Sequence, residues 1–351
     1  RQRQMCIRDR NKKLKFGIIG CSSISERSTI PAIQKSSFAE LEMIGSRSET
    51  KAKEFAKKFG CVKFGSYENI LDDNDIDIVY ISTPIGTHEE WAIKAAKAGK
   101  HVLCEKSSTV SFKSAKKMVD TCIDNKVRIL EGFMFRFHPQ HKKVKDLISD
   151  HSIGKSFLFN GNFGFPTFPK GNIRYDLKLG GGFLNDCGCY PICASRIIFE
   201  KEPRGVMCNL FIDPETGVDV RGHSYMVFDD QKAASVSFAN GNFYQANYQI
   251  WGSEGIIELE RAYSVPPDFS TTINVHSNQK NDWSGRQKDV LKISPTNHFL
   301  IMVDMFCNEI MGTESATYNF EEDLLNQAKV MEAHRLSNKE NRFVHLSEIT
   351  M

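Results

Sequence analysis

The sequence predicts an α/β protein: an N-terminal doubly wound parallel sheet, then an α+β domain built on a mostly antiparallel open sheet. Three observations predict it. From Leu14 to about Phe135, short apolar runs rich in β-branched residues alternate with segments of helical spacing, the pattern of strands joined by helical crossovers. Beyond Arg136 the pattern changes to repeated two-residue alternation, as in strands with one face buried. The 351 residues, 40% hydrophobic and 25% charged, suffice for two cores of ordinary size and argue against a disordered chain.

The elements follow in order. "LKFGIIG" (14–20) is a short apolar strand that enters a helix through "CSSISERS". "LEMIGS" (41–46) is the second strand, and "ETKAKEFAKKF" (49–59) a helix stopped by Gly60. "IDIVYIST" (76–83) is a buried strand by its β-branched content. Thr87 and Glu90 have the spacing of a capping box for a helix over His88–Ala98, which Gly99 terminates. "KHVLCEK" (100–106) and "KVRILEGFMF" (126–135) are strands on either side of a helix from about Phe112 to Asp124. A helix from about Gln140 to Asp150 leads into "KSFLFNGNFGF", "GVMCNLFI", "GHSYMVF", "AASVSFA", "FYQANYQIWG" and "GIIELE", all strand-like. Between the first two lies "LGGGFLNDCGCYPICASRIIF" (179–199), a glycine-rich approach to a helix. "NHFLIMVDMFCNEI" and "FEEDLLNQAKVMEAHRL" close the chain as helices.

Residues 1–10, "RQRQMCIRDR", fit nothing around them. Met5 to Arg10 back-translate to a sequence resembling a transposon mosaic-end adapter, so the segment is read as an artefact, disordered and outside the fold; a genuine basic arm is the alternative. Its four arginines and one aspartate carry the whole formal charge of +3, leaving residues 11–351 neutral on balance. Charge therefore gives no reason to expect a nucleic-acid partner. No apolar run approaches the ~20 residues of a membrane span. A strand that begins almost at once, with no signal peptide, gives the expectation of a cytoplasmic protein. The ten cysteines include no C-x-x-C and read as reduced, often buried thiols, and Cys187 with Cys189 lacks the partners of a zinc site, so no metal is expected.

The turn after the first strand is where a doubly wound sheet holds phosphates, at free N–H groups and the positive end of a helix. A G-x-G-x-x-G fingerprint would place glycine at 20, 22 and 25; here stand Gly20, Ser22 and Ser25. Gly20 keeps the tight turn, and the Ser22 hydroxyl can itself donate to a phosphate, so Gly20, Ser22, Ser23 and Ile24 are expected against a dinucleotide; a plain turn is the other reading. At the next strand end Ser46 and Arg47 replace the carboxylate that would hold an NAD ribose. A hydroxyl beside a guanidinium suits a 2′-phosphate and points to NADP(H), with NAD the alternative and a solvated arginine the bland one.

Three further fragments belong together: "STPIGTHEEW" with Thr83, Pro84 and His88, "AGKHVLCEKS" with Glu105 and Lys106, and "GGGFLNDCGCYPICASR" with Asp186 and Tyr190. With "DIDIVYISTP" and "FMFRFHPQH", they make residues 14 to about 345 resemble the Gfo/Idh/MocA family of NAD(P)-dependent oxidoreductases, which act mainly on sugars and cyclic polyols. The resemblance implies a Rossmann domain over 11–135 and a substrate-binding, oligomerising α+β domain over 136–351. It implies catalytic positions at Lys106, Asp186 and Tyr190. Tyrosine at 190 is similar to the branch with glucose–fructose oxidoreductase and dimeric dihydrodiol dehydrogenase, while Ser107 replaces the family's proline beside Lys106. It also implies cofactor contacts at Thr83, Pro84, His88, Glu105 and Lys106, and pairing of copies through the C-terminal sheet. Arg136, at the junction, is a substrate or cofactor ligand or an interdomain strut.

The chemistry is coherent on the residues alone. Hydride leaving a secondary alcohol needs a base for the hydroxyl proton, and in reduction that group is the acid. Tyrosine, with an ordinary pKa of ~10, needs a nearby ammonium to serve near neutrality, and Lys106 is that ammonium. Asp186 can hold a sugar hydroxyl but cannot take hydride. Tyr190 as a packed aromatic and Lys106 as a surface lysine are the plain alternatives. The expected activity is hydride transfer between NADP(H) and a ring carbon of a sugar, sugar derivative or nucleotide sugar. A silent sugar- or dinucleotide-sensing regulator and an NAD-assisted glycosidase of the same fold are the other possibilities.

Overall fold

The computed structural model describes residues 13–278, 286–312 and 318–350; the segment 1–10 set apart above lies outside them. Six strands form a wholly parallel sheet: β1 (Leu14–Ile19), β2 (Ala39–Gly45), β3 (Lys63–Gly65), β4 (Ile78–Ile81), β5 (His101–Cys104) and β6 (Ile129–Glu131). Their order is β3-β2-β1-β4-β5-β6, so the chain reverses direction across the sheet between β1 and β4. In such sheets ligands bind outside the carboxyl ends at that reversal. The connecting helices are α1 (Ile30–Lys35), α2 (Glu49–Phe59), α3 (Tyr67–Asp72), α4 (His88–Lys97) and α5 (Phe112–Asp124).

The expected capping box at α4 does not form. Thr87 already lies in a 3₁₀ turn, Ile85–Thr87, and its hydroxyl donates back to Thr83 Oγ1 and the Pro84 carbonyl, both at 2.8 Å; Glu90 pairs with Lys94 instead. The strand expected over 126–135 is only β6. Gly132 gives its N–H to the Cys104 carbonyl at 2.7 Å, and a 3₁₀ turn over Met134–Phe137 follows. The apolar run continues because Phe133 and Phe135 enter the core instead of the strand ladder.

After α6 (Pro139–Ser149), a nine-stranded sheet forms in the order β14-β13-β12-β11-β7-β10-β9-β8-β15. Its strands are β7 (Ser156–Phe165), β8 (Gly205–Ile212), β9 (Asp219–Val227), β10 (Ala233–Asn240), β11 (Gln245–Gly252), β12 (Gly255–Leu259), β13 (Thr271–Asn278), β14 (Arg286–Ile293) and β15 (Val344–His345). All pairings are antiparallel except β7 with β10. Alternate residues of β7 and β11, among them Phe159, Phe163, Tyr248 and Ile250, are buried inward, where α7 (Cys189–Phe199) packs. Strands β13 and β14 have no counterpart among the sequence expectations, because only Ile273 and Val275 of β13 are strongly buried apolar residues.

The last two helices join the layers. On α9 (Phe320–Glu340), Leu324 and Ala328 share a core with Ala92 of α4 and Ala115 of α5. Helix α8 (His298–Met311) packs on α1 and on the 3₁₀ turn after β6. The carboxyl ends of the parallel strands and the amino end of α7 thereby face one another.

Candidate active site

The turn after β1 is built around Gly20. Its φ of +109° belongs to glycine, and a Cβ there would stand 3.1 Å from the Ser82 carbonyl carbon and hydroxyl. The missing glycines are replaced by a reciprocal pair of serines. Ser25 N–H donates to Ser22 Oγ at 3.1 Å, and Ser22 N–H to Ser25 Oγ at 3.0 Å, which satisfies two otherwise orphaned donors at the start of the helical stretch. Ser25 is fully buried, whereas Ser22 is half-buried and Ser23 exposed at the open end. The Ile24 side chain packs against the core, so only its main chain is offered outward. One strand over, Ser46 lies beside Cys21 and takes the Ser48 N–H, and exposed Arg47 hydrogen-bonds Tyr67. The pieces fit a dinucleotide: a turn in which a side chain at Gly20 is excluded, serine hydroxyls beside a helix start, and an exposed arginine at the neighbouring strand end.

The second part lies beyond β4 and β5. Lys106 follows β5 and reaches across to the turn preceding α7, 80 residues away, where its Nζ donates to the Asp186 carbonyl at 2.6 Å and approaches Asp186 Oδ1 at 3.3 Å. The other carboxylate oxygen accepts from Arg174 Nε at 2.6 Å. Burial opposes the charge on Lys106, but Asp186 first and then Tyr190 outweigh it, and its pKa is raised. Burial likewise opposes the Asp186 charge, yet Lys106 and Arg174 hold that carboxyl below the usual carboxylate range. Asp186 therefore stays ionised between two cations.

Tyr190, the second residue of α7 and one turn after Asp186, meets the lysine by its ring. Lys106 Nζ is 4.9 Å from the ring centroid, and the hydroxyl instead faces Met134 Sδ at 3.8 Å. Phe133, Phe135, Phe163 and Tyr263 surround the ring with centroids 5.0–5.8 Å away. Burial raises the phenol's pKa more than Lys106 lowers it. Lysine and tyrosine are brought together as cation and aromatic face, with the phenol oxygen turned aside.

The other expected residues divide. Buried Glu105 accepts from Tyr80 at 2.6 Å and from its neighbour's amide, Lys106 N–H, at 3.3 Å; burial raises its pKa. Thr83 and Pro84 line the half-buried step between β4 and α4. His88 is fully buried, with Nδ1 3.2 Å from the Ser107 carbonyl and Nε2 2.7 Å from the Thr83 carbonyl. Both ring nitrogens are thus occupied by main chain, so the histidine ties two strand ends together and has no ring atom left for a ligand. Arg136 is not brought to the cluster either: it pairs with Asp323 of α9 and lies over the Tyr318 ring.

Arg174 was not expected. It stands on the loop after β7, its main chain fixed by an Asn172 turn (N–H to Oδ1, 3.1 Å) and its guanidinium 4.3 Å above Phe168. The Asn-x-Arg spacing ahead of the glycine run is the only local sequence sign of it. That loop touches the first layer through Gly86, whose Cβ, if present, would stand 2.8 Å from the Lys178 carbonyl. Among the described residues no cluster of three or more metal-ligating side chains occurs, all nine cysteines are free, and no helix is long and apolar enough to cross a membrane.

Comparison with known proteins gives a consistent outcome. The family model described as "Oxidoreductase family, NAD-binding Rossmann fold" matches residues 14–133, and a GFO/IDH/MocA C-terminal domain model matches 141–258. The chain is 29% identical over 330 residues to the dTDP-3,4-didehydro-2,6-dideoxy-alpha-D-glucose 3-reductase of Actinomadura kijaniata, spanning 94% of this chain and 97% of that one. It is 35% identical over 255 residues to D-xylose 1-dehydrogenase (NADP(+)) 2 of Haloferax volcanii, spanning 72% and 77%. A crystal structure of a 3-ketoreductase from Actinomadura kijaniata with NADP and TDP-benzene superimposes with a TM-score of 0.87 at 29% identity, covering 93% and 98% of the two chains. Further structures of that ketoreductase carry a tyrosine-to-phenylalanine, a lysine-to-alanine or a lysine-to-glutamate exchange.

Proposed function

The chain belongs to the Gfo/Idh/MocA family of oxidoreductases, and on that footing we propose that it transfers a hydride between NADP(H) and a ring carbon of a sugar, sugar derivative or nucleotide sugar. The observation that carries this reading is the meeting of Lys106 with Asp186, at the carboxyl ends of the parallel strands and beyond the Gly20 turn. When bound, NADP(H) supplies or accepts the hydride. Gly20, Ser22, Ser23 and the main chain at Ile24 hold its diphosphate, Ser46 and Arg47 its 2′-phosphate, and Thr83, Pro84 and Glu105 line the path to Lys106. Residues 11–135 act as the dinucleotide-binding domain and 136–351 as the substrate and oligomerisation domain.

The charged groups have distinct work. Lys106, kept protonated by Asp186, presents an ammonium to the substrate oxygen and gives or regains a proton there. Asp186, ionised and acceptor-only, takes hydrogen bonds from ring hydroxyls. Tyr190 supports the lysine through its ring; with its phenol oxygen turned to Met134 it carries no proton to the substrate in this arrangement. The relatives that reduce a dTDP-sugar or oxidise xylose with NADP(+) support the substrate class and the cofactor. The outer face of the nine-stranded sheet, carrying Asn160, Asn162, Asn247, Tyr225 and Trp251, is assigned to pairing with a second copy. Free thiols suit a reducing compartment such as the cytoplasm.

The test begins with fluorescence titration of the protein by NADPH and NADH. Turnover follows, with NADP⁺ plus D-xylose or D-glucose and with NADPH plus a dTDP-linked ketosugar. NADPH should bind more tightly, and one probe should turn over. Lys106→Ala should cost roughly 10²–10⁴-fold in kcat, and Tyr190→Phe less. No binding of either nucleotide would sink the reading.

A further inference from the structure

Lys106 does not grip the second layer alone. The adjacent Ser107 donates its hydroxyl to the Asn185 carbonyl at 3.0 Å, while Lys106 Nζ donates to the carbonyl of the adjacent Asp186 at 2.6 Å. Two consecutive residues after β5 thus hold two consecutive carbonyls ahead of α7. The Ser107 rung is buried and braced on every side. The Ser107 carbonyl faces His88 Nδ1 at 3.2 Å, and the next amide, Ser108 N–H, donates to buried Glu131 at 2.7 Å. On the far side Arg335 of α9 donates to Asn185 Oδ1 at 2.6 Å, and Asn185 Nδ2 to the Gly180 carbonyl at 3.3 Å.

The two rungs differ in kind. The lysine rung uses the group that must turn to the substrate oxygen, so engaging substrate competes with holding Asp186. The serine rung is neutral and takes no part in the chemistry. We propose that Ser107 is a positioning residue: its hydrogen bond to the Asn185 carbonyl keeps the lysine loop and the Asp186 turn in register while Lys106 exchanges partners. This rests on the oxidoreductase reading above. Without the rung, the lysine's release from Asp186 lets the two segments slip, and misplacement of about 1 Å is enough to cost about 10²-fold in rate.

The test is Ser107→Ala beside the wild type, with the probe pair found to turn over. Expected for the variant are a kcat lowered ten- to a hundredfold, an NADPH Kd within twofold of wild type, and a larger primary isotope effect with the hydride donor of that pair, NADPH or the sugar, deuterated at the transferred position. The isotope effect separates positioning from mere stability, since a fold-stabilising hydroxyl would change the melting temperature and not the share of hydride transfer in the rate. Ser107→Thr, which keeps the hydroxyl, should recover most of the rate. A variant matching wild type in kcat and isotope effect overturns the role of Ser107 alone. A wild type that binds NADPH yet turns over no probe overturns the functional reading, and the role of Ser107 with it.

Discussion

Glu131→Gln offers a quantitative test of the buried electrostatics behind the lysine loop. Glu131 ends β6, is buried, and accepts the Ser108 amide; burial pushes its carboxyl from 4.5 up to about 6, against the opposing pull of Ser108, Arg136 and Arg196. Because the folded pKa lies above the unfolded one, the folded state binds the proton more readily between those values, and stability falls as pH rises through that window. At 1.36 kcal/mol per unit, ionised Glu131 costs about 2 kcal/mol of folding stability above pH ~6.5. Glutamine cannot ionise, retains an acceptor for Ser108, and has beside it a cavity of about 10 Å³ lined by Gln327 and Arg335, room for about one water to take its amide hydrogens.

The variant should therefore be more stable than wild type by about 2 kcal/mol at pH 8, with the advantage shrinking towards zero below about pH 4.5. Urea unfolding midpoints at pH 8, 6.5 and 5, compared at equal slope, measure it. A variant no more stable at pH 8, or a difference that does not change with pH, would refute the reasoning and mean that Arg136 and Arg196 fully compensate the carboxylate.

Three other outcomes follow from the site and its surroundings. Arg47→Ala should weaken NADPH binding roughly 10–100-fold, the value of a charged hydrogen bond, and leave NADH unchanged, as a titration with each nucleotide would show. Asp186→Asn removes the main support of the raised Lys106 pKa, so the alkaline limb of the kcat–pH profile should move to lower pH and kcat/KM fall. Burial pushes His298 from 6.5 down to about 3; the unfolded state then binds more protons below pH 6.5, and stability is lost as pH falls. His298→Gln should lower the pH of acid unfolding and reduce proton uptake on unfolding at pH 5 by roughly one.

How much of this was legible depends on the range of the interaction that fixes each feature. The parallel sheet was readable because a strand buried on both faces must be apolar throughout, as Ile78–Ile81 is. Helix α2 was readable to the residue, since Ser48 caps it and Gly60 closes it. Strands β13 and β14 were not: β14 is the edge of the sheet and β13 beside it buries few apolar side chains, so neither leaves a strong apolar pattern. The box at Thr87 failed for a local reason that sequence does not carry: Thr83 and Pro84 compete for the same hydroxyl.

The site divides the same way. Lys106, Asp186 and Tyr190 each stand out in a recognisable fragment, so their proximity could be expected, but its form could not. Whether a lysine meets a tyrosine at the oxygen or at the ring depends on where the phenol's neighbours are, and those come from the segment after β6, from β7 and from the segment after β12. Met134 and four aromatic rings take the Tyr190 side chain into the core, leaving Lys106 with the freer proton. Ser107 makes the complementary point. On sequence it reads as the loss of a rigid proline, yet in three dimensions its hydroxyl makes a cross-layer hydrogen bond that proline cannot make. The stiffness expected from a ring is here supplied by a bond between layers, and it depends on Asn185, a residue that no local pattern ties to the lysine.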